Sequence, residues 1–117
     1  MRIETCYTRP ELDGRGRVPS DRLPPVHGRP ASARVADVVL LDFSLPWETA
    51  VELFSDPVVQ FVAPSPLPGL PALANWDWLV EIAYRPGVPD TLALTAREAI
   101  AIVGASPPGG RNGLVQT

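Results

Sequence analysis

The sequence predicts a small α+β domain, and three observations carry that expectation. Short β-branched and apolar windows alternate along the chain with two windows of helical periodicity. Many of the fifteen prolines border these windows rather than interrupt them, as expected of a residue that lacks a backbone donor and fixes φ. The length of 117 residues suits one modest core, and apolar residues at 45 % set the chain apart from disordered compositions.

Residues 2–8 read as a strand, because Ile3, Thr5 and Tyr7 alternate with Glu4 and Cys6. Across 13–33, Pro19, Pro24, Pro25 and Pro30 break any long helix, so only a short turn after Asp13 is expected. Residues 34–43 are β-branched and apolar on both faces, which suits a long central strand. Residues 46–55 read as a helix with Trp47, Ala50, Val51 and Phe54 on one stripe. Pro46 falls in its first turn and Ser44 is the candidate cap. The pair Asp56-Pro57 marks a helix-to-strand corner, and 57–63 read as the next strand.

Four prolines between 64 and 71 make a semi-rigid connection of 64–75. Residues 77–84 read as a fourth strand, with Trp78, Val80, Ile82 and Tyr84 on one face. Residues 91–103 read as a second helix, capped by Asp90 and buried along Leu92, Ala96, Ala99, Ile100 and Val103. Residues 105–117 are rich in turn-formers and are expected to form a flexible tail.

Composition excludes several chemistries. All ten basic residues are arginine, so a Schiff-base lysine or a phosphate-loop lysine is ruled out. One cysteine, Cys6, and one histidine, His27, all but remove a zinc site, a disulfide framework and any Cys-His pair other than Cys6 with His27. The formal net charge is −3, unevenly spread: residues 1–34 hold seven arginines and four acids, and the rest hold three arginines and nine acids. The basic segment is interleaved with proline and offers no helix to gather its arginines, so nucleic acid is not an expected partner. The start lacks a signal-peptide core, and Asp37 and Asp42 break the longest apolar stretch. No membrane is therefore expected, and a cytoplasmic setting is.

The two ends of the chain resemble one another. Ile3-Glu4-x-x-Tyr7 leads to Arg9-Pro10 and Asp13, and Val80-Glu81-x-x-Tyr84 leads to Arg85-Pro86 and Asp90. Each Glu lies nine residues before its Asp, at an offset of 77 residues. The physical reading is a strand stopped by proline, then an Asp that accepts from the free amides of a following helix. Glu4 and Glu81 form a matched pair, but no nucleophile or metal set accompanies them, so a general acid/base role is not expected. Arg9 and Arg85 are candidates for a phosphate or a partner carboxylate, and otherwise are surface arginines. Glu48 and Glu52 belong to a solvated helix face, Cys6 to a packed strand, and His27 to an exposed loop. Gly14-x-Gly16 and Gly109-Gly110 lack the setting of a phosphate loop. Trp47 and Trp78 suit a core, and Trp76 is the better interface candidate.

The run Trp76 to Asp90, continuing to Thr95-Ala96-Arg97-Glu98-Ala99, resembles the N-terminal region of phosphoribosylformylglycinamidine synthase, a ligase of de novo purine biosynthesis. Phe54-Ser55-Asp56-Pro57-Val58-Val59-Gln60 resembles the same region, and Arg9-Pro10-x-x-Asp13-x-x-Gly16 resembles the start of the small PurS subunit. The resemblance implies PurS-like β-α-β-α-β modules with helices on one face of a small antiparallel sheet. It implies a first module at 1–63, a proline-rich linker at 64–75, a truncated second copy at 76–104 and a tail at 105–117. It further implies a non-catalytic bridging role between synthetase and glutaminase domains, with sheet pairing to a sibling module. ATP and magnesium would belong to the parent synthetase, and this chain would carry no catalytic, cofactor or metal residue. Arg9, Pro10, Asp13, Trp76, Arg85, Pro86 and Asp90 are then structural or interface positions. The chain departs from the pattern at 17–33, where prolines replace an amphipathic helix, and in a second copy that stops after one helix. A fragment of the large single-chain enzyme is the expectation that follows. The alternative is a ferredoxin-like or ACT-like regulatory domain that binds a small molecule.

Overall fold

A computed structural model describes residues 1–17, 22–64 and 75–104, together with the backbone of 115–116. Strand β1 (Arg2–Tyr7) is followed by a single 3-10 turn at Pro10–Leu12, strand β2 (Ala36–Leu41), helix α1 (Trp47–Phe54), strand β3 (Gln60–Pro64), helix α2 (Thr91–Ile102) and a two-residue strand β4 (Val115–Gln116). The strand order is β3-β1-β2-β4, so β1 is central. Both of its neighbours are antiparallel: Ile3 faces Val39 and Pro64, and Cys6 faces Ala36 and Phe61. The architecture is α+β, a three-stranded antiparallel sheet with two helices, extended by the short β4.

The register explains the core. Ile3, Val39 and Val62 fall on one face of the sheet, and Leu41 joins them at the β2 end. Ala50, Leu53 and Phe54 of α1 and Ala93, Ala96 and Ile100 of α2 pack into the same cluster, so both helices cover that face. Ile3 is 0 % exposed at its centre. Burying such a side chain stabilises by about 2 kcal/mol. Ala50, Ala63 and Ala93 are also buried. A small side chain lets a helix or strand approach closely where a larger one would hold it off.

Helix ends follow local chemistry. The Asp90 carboxylate accepts from the Ala93 amide at 2.9 Å, as the sequence expects of a cap. Gly104, with φ of 72°, ends α2 in the left-handed conformation that favours glycine. At the other helix Pro46, not Ser44, holds the cap position, with φ −53° and ψ 137° and no side-chain cap bond. The proline presets φ for helix entry, and buried Leu45 anchors the approach. After α1, Asp56 accepts from Val58 at 3.0 Å, and Gln60 Oε1 accepts from the Asp56 amide at 2.7 Å. This closed corner turns the chain directly into β3, at the Asp-Pro step the sequence marks.

Three expectations are corrected. The α2 stripe runs through Ala93, Ala96 and Ile100, whereas Leu92 and Val103 are exposed. The helix is thus turned about one residue from the orientation that its largest apolar side chains suggest. Residues 77–84 form no strand and are exposed throughout. A ladder needs a partner, and in the order β3-β1-β2-β4 this segment joins neither the open edge of β3 nor any other described strand. Finally, Val115–Gln116, within the expected tail, pairs with Leu40–Leu41 of β2. Most of the 64–75 connection, at 65–74, and Pro19 lie outside the described residues.

Candidate interaction surface

The face of the sheet opposite the helices carries Arg2, Glu4 and Cys6 of β1. Glu4 and Cys6 are buried there. Arg2 Nε donates to Glu4 Oε1 at 3.0 Å, and the same guanidinium bonds Glu81. Its hydrogen bonds to Glu81 first, and then to Glu4, raise the Arg2 pKa above its ordinary value. The two glutamates matched by the internal repeat thus meet on one arginine. The sequence reading missed Arg2, although its place two residues from Glu4 on a strand puts both on one face.

The segment held by this contact is the most exposed apolar stretch described. Trp78 is 79 % exposed, Val80 75 % and Ile82 90 %. Trp76, the expected interface residue, is exposed, and so is Trp78, which the sequence reading placed as readily in a core. Residues 85–88 form a turn in which Val88 donates to the Arg85 carbonyl at 3.0 Å. Pro86 and Gly87, with φ of 84°, occupy the two central positions such a turn favours. Arg85 and Pro86 are therefore turn-formers that stop the apolar run, with the Arg85 side chain exposed.

A second turn lies beside the segment. Val26 and Arg29 bridge each other around His27 and Gly28, both at positive φ, the geometry of a tight two-residue turn. His27 Nε2 lies 3.3 Å from Asp77 Oδ1. Pro24, Pro25, Val26, His27, Asp77 and Trp78 line an open groove of about 590 Å³. Its lining is largely apolar, from the two prolines, Val26 and the Trp78 indole, with the His27–Asp77 pair beside them.

Asp13 does different work from Asp90. It is 1 % exposed and accepts from Gly16 N at 2.9 Å, Val35 N at 3.0 Å and Arg34 Nε at 3.4 Å. Arg34 also donates to the Tyr7 carbonyl, tying the end of β1 to the approach of β2. Burial pushes the Asp13 carboxyl up, but the two amides and the guanidinium outweigh it and hold its pKa below the usual value. The expectation of a helix cap is corrected to a buried knot that closes the 13–35 excursion. A Cβ on Gly16 would meet Asp13 Oδ2 at 2.5 Å and the Ala33 carbonyl at 2.8 Å, so the knot requires glycine there. Arg9 and Pro10 start the 3-10 turn, with the Arg9 carbonyl accepting from Leu12 at 3.1 Å. Burial raises the Cys6 thiol, which disfavours the reactive thiolate.

Among the described residues, no group of three or more His, Cys, Asp or Glu side chains is placed to hold a metal ion. Among the same residues, no helix is long and apolar enough to cross a membrane. What the fold and this surface define is a small α+β domain with an exposed apolar arm. No family model, curated protein or solved structure matches the chain.

Proposed function

We propose that this chain is a non-catalytic bridging module of the phosphoribosylformylglycinamidine synthase type, serving de novo purine biosynthesis in the cytoplasm. On this reading it binds the synthetase and glutaminase parts and a sibling module, and ATP and magnesium belong to the synthetase. The observation that supports it most is the Trp76–Asp90 run, which carries the resemblance and also displays Trp78, Val80 and Ile82 to solvent. A contiguous exposed apolar stretch of this kind marks an interaction surface. An antiparallel sheet with both helices on one face fits the implied layout at the level of class.

Copurification of the full chain with the synthetase and glutaminase components tests the reading. Retention, with glutamine-dependent activity that falls when the chain is omitted, is the expected result. A chain that is not retained and leaves that activity unchanged overturns it. A melting shift with a free amino acid or nucleotide, in the absence of retention, would point instead to a ligand-binding regulatory domain.

A further inference from the structure

We infer that residues 77–85 are a self-complementary docking strand, whose partner is the same segment of a second copy of this chain. The inference rests on these residues alone and holds whatever the metabolic role.

Three observations lead to it. First, the segment is unpaired where pairing is chemically favoured. It alternates apolar side chains at Trp78, Val80, Ile82 and Tyr84, and takes no positive φ. Among the described residues, no backbone hydrogen bond joins any residue from 77 to 84. Second, its charges choose an arrangement. Parallel pairing in register would set Asp77 on Asp77, Glu81 on Glu81 and Arg85 on Arg85. Antiparallel pairing centred on Glu81 instead sets Asp77 opposite Arg85 at both ends. The same register places Trp78 opposite Tyr84 and Val80 opposite Ile82, the aromatic and β-branched pairs that stabilise sheets. A slip of one or two residues loses the Asp-Arg match. Third, the central like-charge contact is eased in part, because each Glu81 pairs with Arg2 of its own chain, a guanidinium it shares with Glu4.

The end charges are available for this role. Among the described residues Arg85 makes no ion pair, and Asp77 meets only His27, which is cationic only when protonated. A two-fold arrangement makes the Asp-Arg pair twice, and it sets the exposed Trp78–Tyr84 stripes of the two copies side by side on one face.

Sedimentation equilibrium of the full chain over a concentration series tests the proposal. The expected result is a reversible dimer. Arg85→Asp and Asp77→Arg, taken singly, are each expected to weaken it about tenfold, as two attractive pairs become repulsive. Mixing the two single variants is expected to restore dimers, because every charge then meets its opposite. Far-UV circular dichroism of each variant confirms that the helices survive. If a variant fails to fold, hydrogen exchange on the parent chain decides: the amides of 78–84 gain protection as concentration rises. A monomer at every concentration overturns the proposal. So does a dimer that neither substitution weakens, or two single variants that do not recover pairing when mixed.

Discussion

Two stretches of this chain have nearly the same alternation and opposite fates. Residues 2–7 lie at the centre of the sheet, with Ile3, Glu4, Thr5 and Cys6 all buried. Residues 77–84 carry more apolar surface and are exposed from end to end. The difference is not propensity. β1 has a partner along each edge and the helices packed over one face, and the later segment meets the domain through ion pairs to one arginine and one histidine and a groove shared with Pro24, Pro25 and Val26. A strand pattern states what a segment can pair with, and only topology decides whether a partner is left for it.

The comparison can be broken hardest at β1. Ile3→Ala is expected to destabilise by about 4 kcal/mol, read from urea unfolding followed by circular dichroism. Asp13→Ala should cost about 3 kcal/mol, because it leaves the mostly buried Arg34 side chain and two partly buried amides without their acceptor. Its pH dependence has a definite sign. The folded carboxyl has the lower pKa, so Asp13 contributes fully above the unfolded value of about 3.9. That contribution is lost as pH falls through the folded value. The gap between the parent and Asp13→Ala in urea midpoints should therefore be full near pH ~6 and close progressively below pH ~4.

Gly16→Ala tests the same knot sterically and should cost about 2 kcal/mol, seen as a lower thermal midpoint. Asp90→Ala removes the α2 cap and should cost about 1 kcal/mol, with loss of amide protection confined to the first turn. The smallest effect belongs to the exposed segment. Ile82→Ser should leave monomer stability within about 0.5 kcal/mol of the parent, measured in dilute solution. A large loss there would mean that the segment is packed after all, and the contrast with β1 would fall.

Several elements were legible because their signals are local. Pro46 and the apolar periodicity bound α1, Asp56-Pro57 marks the turn into β3, and Asp90 caps α2. What escaped the reading depends on contacts distant in sequence. Asp13 resembles a cap until Val35 and Arg34 return to it across the proline-rich excursion. Arg2 gains its role only when Glu81, 79 residues away, is brought over the sheet. The rotated face of α2 has a packing cause: small Ala93 faces the core while larger Leu92 is left outside. A ranking by hydrophobicity alone points to the larger residue. Asp90 does what its spacing suggests, Trp76 is exposed, and Arg9, Pro10, Arg85 and Pro86 shape turns.

The central position of β1 also bears on how the chain is made. It leaves the ribosome before either of its neighbours, and its ladder with β3 joins Ile3 to Pro64. No hairpin can form early around it, since even the nearer partner begins at Ala36. Chains built on such distant pairings fold more slowly than helical ones of similar size. Until β3 is synthesised, the nascent β1 shows both an apolar face and an open edge, and is a target for a chaperone.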